Sequence, residues 1–226
     1  MAKWFYSPSG QDGNGSHGYL EEKWCNLLTD DIIPIMERHG EECNRNNPDQ
    51  KFKAHTIAAN LWGADFDVPL HSNAIMPDGN TWQTTHSGPT VGCSSPALLT
   101  AKGTILSQLI YDRLYELWLP PTRRKLVKYN FYEVTETLMP VAYVENFYHD
   151  NEKDQKFGID NRKKIAIQIC KGCLQMVGKT YDRLEEIQPM YRIQAGYQWR
   201  NKVYADAYLK KLQDAGFVGK ISETME

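Results

Sequence analysis

Apolar positions along the chain fall into two spacings: three- and four-residue steps that mark helices, and short runs or alternation that mark strands. Residues 3–7 read as a first strand. Residues 19–39 predict a helix, because Trp24, Leu27, Leu28, Ile32 and Ile35 recur at helical steps and Gly40 follows as a stop signal. A second helix is predicted over 51–62, then a strand from Phe66 to His71 running on to Ala74. The Gly-, Ser- and Thr-rich stretch 79–95 reads as loop and hairpin. The longest helix is predicted over 96–118, burying Leu98, Ile105, Leu109, Ile110, Leu114 and Leu117, and Pro120–Pro121 stops it. A compact apolar strand, 141–145, ends in Glu145, and a helix over 158–177 follows. This order predicts an α/β fold, a mostly parallel sheet flanked by helices. After a polar linker over 179–189, residues 190–226 read as a small C-terminal β-α-β module, too short to bury a core alone.

Composition narrows the function. Lys and Arg number 26 against 28 Asp and Glu, a net charge of -2, which argues against a nucleic-acid binder working by bulk positive charge. No apolar run approaches the roughly 20 residues of a spanning helix, so no stable membrane insertion is expected. Residues 1–8 lack the apolar length of a secretory signal, so synthesis in the cytoplasm without a signal peptide is expected. Five cysteines are an odd number, and Cys170–Cys173 is a lone CxxC in a helical stretch without the second pair of a zinc ribbon; core-facing thiols are the expectation.

In a parallel sheet, ligands sit beyond the carboxyl ends of the strands. Three groups fall at such ends: Ser9 to Gln11, His71 and Glu145. Glu22, early in the first long helix, can aim a carboxylate at the same spot. Zinc accepts mixed nitrogen and oxygen ligands and, when catalytic, keeps one position for water. A carboxylate outside its ligand set, Glu145, then moves protons. A lone histidine at a strand end is by itself more often a hydrogen-bonded structural residue.

Three segments in order sharpen this: 22–27 (EKWCNL), 58–74 (AANLWGAD…LHSNA) and 140–147 (PVAYVENF). Together they resemble the zinc-dependent N-acetylmuramoyl-L-alanine amidases of the type 3 family over roughly residues 3–177. The resemblance implies an enzyme that cleaves the amide between N-acetylmuramic acid and the L-alanine of the peptidoglycan stem peptide. It implies Zn2+ as cofactor, Glu22 and His71 as ligands, and Glu145 as general acid/base. The chain departs from the family after the first strand. There the family carries a histidine in an Asp-Pro-Gly-His-Gly setting, and here the segment reads SPSGQDG. Gln11 is the nearest replacement ligand, with His17 and His149 as alternatives, each of which by itself reads rather as a solvated loop histidine. Glu133, Glu136 and His86 read as surface groups near the site, Arg123–Lys125 as a solvated charge run, and His39 and His55 as helix residues without a role.

The tail resembles half of a sporulation-related (SPOR) repeat: YRIQAG at 191–196 matches its opening strand, and residues 205–212 with Gly216–Phe217 match its helix and return. Such domains bind glycan strands stripped of stem peptides. Two tails pairing between chains would complete a four-stranded sheet, so a homodimer is an expectation. The leading reading is a peptidoglycan hydrolase of endolysin or mother-cell-lysis type that reaches the wall after release. The alternative is a cell-wall-binding protein whose amidase scaffold no longer turns over, and a zinc exopeptidase on a similar sheet is a more distant one.

Overall fold

The computed structural model describes residues 1–11, 15–46, 52–76, 81–93, 100–118 and 126–182. One compact unit spans Met1–Tyr181. The expectations for the linker beyond residue 182 and for the C-terminal module lie outside the described residues.

Strand β1 (Lys3–Pro8) sets the architecture. Trp4 and Tyr6 enter the main core while Phe5 enters a smaller cluster with Ala59 and Met139, so both faces of this strand are covered. A strand buried on both sides belongs in the middle of a helix-flanked sheet. Helix α1 (Glu21–Arg38) follows, then β2 (Glu42–Arg45), α2 (Phe52–Trp62), β3 (Phe66–Asn73) and β4 (Thr90–Cys93). Helix α3 (Thr100–Tyr115), β5 (Leu126–Lys128), the one-turn α4 (Tyr132–Thr135), β6 (Tyr143–Tyr148), α5 (Glu152–Asp160) and α6 (Arg162–Met176) complete the described elements. The strands form one six-stranded sheet in the order β2-β1-β3-β6-β4-β5. All pairs are parallel except β4 with β6. This is the α/β sheet the periodicity predicts, with one antiparallel step.

The main core lies between one sheet face and helices α1, α3 and α6. Trp24, Leu28, Ile32 and Met36 of α1 meet Val68, Leu70, Val144 and Phe147 of the sheet and Ile110, Ile165 and Ile169 of the outer helices. Helices α3 and α6 approach closely at Gly172, where a Cβ would stand 2.8 Å from Ile110 Cα. Among the described residues no helix is long and apolar enough to cross a membrane.

Several local expectations are corrected. Thr90–Cys93 is a strand rather than part of a hairpin loop, because its partners β5 and β6 are distant in sequence. The last strand begins at Tyr143 and continues past Glu145 to Tyr148. The final helix is two helices: Asn151 caps α5 by accepting from the amides of Lys153 and Asp154, and Asn161 separates α5 from α6. In α3 the buried stripe passes through Leu106, Ile110 and Leu114, leaving Ile105 exposed, and in α1 Leu27 is exposed. Cys170 and Cys173 are both free thiols in the core. Burial first of all drives both well above the ordinary thiol range, so the CxxC offers no ready thiolate for a metal.

Candidate active site

Strand β3 delivers His71. Its neighbours Val68 and Leu70 point into the main core, so the two-residue period turns His71 to the opposite face. There its ring stacks on Tyr143 at 4.5 Å. On β6, Glu145 stands directly beside it in the parallel register, with Thr90 of β4 on its other side. A β-bulge lies between His71 and Asn73, and Asn146 Nδ2 donates to the His71 carbonyl at 2.9 Å, fixing the strand end. Bulges recur where a strand must re-aim a side chain.

The carboxylate that meets His71 comes from Glu21, not Glu22. Glu21 is fully buried, and its Oε1 is 3.0 Å from His71 Nδ1. Consecutive helical residues lie about 100° apart around the axis, so only one of the pair can share the inward stripe. That stripe is Trp24, Cys25 and Leu28, which are three, four and seven residues after Glu21. Glu22 is half-exposed on the helix flank, where its backbone carbonyl accepts from Asn26.

A third carboxylate corrects the reading of Glu133 as a surface group near the site. Glu133 of α4 is buried, and its Oε2 lies 3.3 Å from His71 Nε2, an ion-pair separation. Four buried groups therefore converge: Glu21, His71, Glu133 and Glu145. Two of their oxygens, Glu133 Oε1 and Glu145 Oε2, have no hydrogen-bond partner, and His71 Nε2 has its ion-pair contact with Glu133 without a formed hydrogen bond.

The donors considered for the missing imidazole separate cleanly. Gln11 is exposed, its amide N–H donating to Ser9 Oγ at 3.4 Å. His17 is exposed and stacks on Trp82 at 3.6 Å between ring centres. His149 alone is buried within the site, against its reading as a solvated loop residue: its Nδ1 is 3.9 Å from Glu21 Oε2 and 3.0 Å from Ser72 Oγ. Tyr19 donates to the same Ser72 hydroxyl at 2.9 Å and stacks on the His149 ring. At the end of β1, the buried residue that reaches Glu21 is Ser9. His86 is held in the rim loop by Thr85 and Tyr148, and His55 is wholly buried against Asn46.

Electrostatics follow from three acids around one base. Burial pushes Glu145 up, and the Glu21 and Glu133 charges add to it against the pull of His71, leaving it at about 8. For His71 burial works downward, but the carboxylates at its two nitrogens outweigh it and raise it to about 10. Burial also works to raise Glu21, yet His71, Ser9 and His149 hold it below the ordinary carboxylate value. Burial keeps His149 low despite the nearby Glu21. Three buried acids thus share one imidazole: below about 8 Glu145 keeps its proton, and the His71 charge is met by Glu21.

Among the described residues no three His, Cys, Asp or Glu side chains stand as a ready-made metal cage. The pocket nonetheless fits a zinc ion in two respects. Two ligands of a tetrahedral site with bonds near 2.0–2.2 Å lie about 3.3 Å apart, close to the 3.0 Å between Glu21 Oε1 and His71 Nδ1. The buried acids gathered around one imidazole, with the unpartnered oxygens of Glu133 and Glu145, are what a bound dication would answer.

The fold is one this chain shares with solved N-acetylmuramoyl-L-alanine amidase structures. An amidase from Clostridium difficile 630 superposes with a TM-score of 0.68 at 19% identity, over 78% of this chain and 97% of that one. AmiC2 of Nostoc punctiforme gives 0.66 at 18%, over 79% and 98%. The catalytic domain of the CD27L endolysin, which targets Clostridia difficile, gives 0.61 at 18%, over 80% and 100%. In sequence, the chain is 24% identical over 232 residues to the N-acetylmuramoyl-L-alanine amidase CwlM of Bacillus licheniformis, covering 96% of this chain and 83% of that protein. No family model matches the chain.

Proposed function

We propose that the protein is a peptidoglycan hydrolase, a zinc-dependent N-acetylmuramoyl-L-alanine amidase that cuts the amide joining N-acetylmuramic acid to the L-alanine of the stem peptide. The observation that carries this reading is the buried Glu21–His71 pair with Glu145 in register beside it, on a sheet shared with amidase domains. Zinc would be held by Glu21 and His71, with His149 as third donor in place of the imidazole the β1 end lacks. Bound there, zinc supplies polarisation of the amide carbonyl and activation of a water.

Glu145 takes a proton from the attacking water at its unpartnered Oε2. It passes that proton to the nitrogen of L-alanine as the carbon–nitrogen bond breaks, so water's oxygen ends on the lactyl carboxylate and the stem peptide leaves as a free amine. The stacked Tyr143 holds the His71 ring in place. The released glycan, bare of peptides, is the ligand we assign to the C-terminal module, as a SPOR-like half-repeat that pairs between two chains. Synthesis in the cytoplasm and action on the wall after release complete this reading.

Purified cell walls test it. With zinc, the protein should release stem peptides bearing new L-alanine amino termini, and a chelator should stop it. Glu145→Gln should slow release by roughly 10²–10⁴-fold while zinc binding persists; a Glu145→Gln variant as fast as the parent refutes the assignment. One feature favours the second reading, a wall-binding protein without turnover: the β1 end offers Ser9 and the exposed Gln11 where the family has a histidine. Tight wall binding without peptide release, in zinc, would decide for it.

A further inference from the structure

His71 is gripped at both ring nitrogens. Nδ1 faces Glu21 Oε1 at 3.0 Å, and Nε2 faces Glu133 Oε2 at 3.3 Å. An imidazole can give only one nitrogen to a metal, so the two carboxylates cannot have the same task. The donor sets on the two sides differ. On the Nδ1 side Glu21 stands between two imidazoles, His71 and His149, a nitrogen-and-oxygen set that suits zinc. On the Nε2 side the named neighbour is a carboxylate, with Glu145 in the adjoining register position.

We infer that Glu133 is a positioning residue: it accepts a hydrogen bond from His71 Nε2–H and so fixes the tautomer and ring plane that present Nδ1 to zinc. This rests on the zinc reading above and assigns a residue to it. A ligating histidine commonly donates its other N–H to a carboxylate, which orients the ring and makes the ligating nitrogen more basic.

The surroundings of Glu133 are built to hold such a post still. Helix α4 is a single turn, yet both ends are tied down. Thr137 Oγ1 donates to the Glu133 carbonyl at 2.6 Å. Asn60 of α2 spans the exit, donating to the Glu136 carbonyl and accepting from the Leu138 amide, each at 2.9 Å. Val134 is buried with Val141 and with Tyr143, the residue on which the His71 ring stacks. The carboxylate, the stacking ring and the strand end therefore form one packed unit around the imidazole. An acid buried to this degree without a cationic partner would be costly, and the imidazole nitrogen 3.3 Å away is the group placed to serve as one.

The test uses the full chain and its zinc affinity, measured by competition with a chromogenic chelator. Glu133→Ala should weaken zinc binding by roughly 10–100-fold, and Glu133→Gln by roughly 10-fold, because an amide oxygen still accepts but carries no charge. Melting of each metal-free variant checks that it folds. In zinc-loaded protein, the proton resonance of His71 Nε2–H should move upfield in Glu133→Gln, since a neutral acceptor binds it less strongly. Parent-like zinc affinity in either folded variant, or an unmoved Nε2–H resonance, overturns the inference while leaving the zinc reading intact. A parent chain that binds no zinc overturns both. Should Glu133→Ala fail to fold, the Glu133→Gln resonance and affinity decide.

Discussion

Exchanging Glu21 for Gln preserves volume and helix propensity but removes the charge that faces His71 Nδ1 at 3.0 Å. Loss of a metal ligand should weaken zinc binding by more than the roughly 100-fold upper range of an outer-shell change. Glu22→Gln, one position along on the half-exposed flank, should leave both zinc affinity and hydrolysis near the parent value. Chelator competition on the two variants side by side checks the assignment, and the opposite ranking would return the ligand to Glu22. The same groups dictate a pH dependence. In the metal-free folded protein His71 holds its proton up to about 10, against 6.5 ordinarily, and Glu145 holds its proton up to about 8, against 4.5. Wherever the native state binds more protons than the unfolded chain, stability falls as pH rises. The contribution from His71 is complete below pH 6.5 and is lost through about 10; the cost of burying Glu145 grows from pH 4.5 to about 8. Melting temperature of the metal-free protein should therefore decline with rising pH, most steeply between 6.5 and about 8 where both act. Glu145→Gln should remove the portion below pH 6.5. A melting curve that climbs over that range would contradict the buried arrangement of the two groups.

Helix packing supplies its own test at Gly172, where α6 crosses α3. A methyl added there meets Ile110 Cα at 2.8 Å, and backbone cannot swing aside as a side-chain tip can. Gly172→Ala should cost about 1–3 kcal/mol of stability, the range for overpacking, despite alanine's better helix propensity. Chemical denaturation measures it, and a stabilised variant would mean the helices part readily. What the sequence disclosed at this scale follows from how local each signal is. Helix α1 was legible because Trp24, Leu28, Ile32 and Ile35 repeat within one element, and that same phase places Glu21 three residues before Trp24 on the inward side. The information that picks Glu21 over Glu22 was thus present in the stripe itself. Strand β3, with His71 near its end, was legible because Phe66, Val68 and Leu70 alternate as apolar positions before it. Strand β4 was not, since Thr90–Cys93 is held by pairing with β5 and β6 rather than by its own pattern. Glu133 was hidden for a related reason: a four-residue turn carries no periodicity, and its burial comes from contacts with α2 and β6 far along the chain.

For the whole molecule, catalysis and wall binding are assigned to separate stretches of chain, so they should separate by truncation. The compact unit Met1–Tyr181 holds every group placed in the site, together with the core of α1, α3 and α6. A chain ending at Tyr181 should fold, bind zinc with the parent's affinity and cleave small soluble muropeptides at the parent's rate. On intact walls the two should differ. The proposed reaction would create bare glycan, and a tail that binds bare glycan would hold the enzyme on partly stripped strands, next to stem peptides still to be cut. Tethering converts each later encounter into an intramolecular one, with gains of up to roughly 10²–10⁴ in apparent affinity when two sites engage together. Paired tails would add a second point of attachment and steepen the dependence on protein concentration. Co-sedimentation with walls already stripped by amidase is the measurement. The full chain should pellet at concentrations at least about tenfold lower than the truncated chain, and the difference should shrink on walls that keep their stem peptides. Equal pelleting of the two chains on stripped walls would remove the glycan-binding role from the tail, and a full chain that sediments as a monomer throughout would remove the pairing.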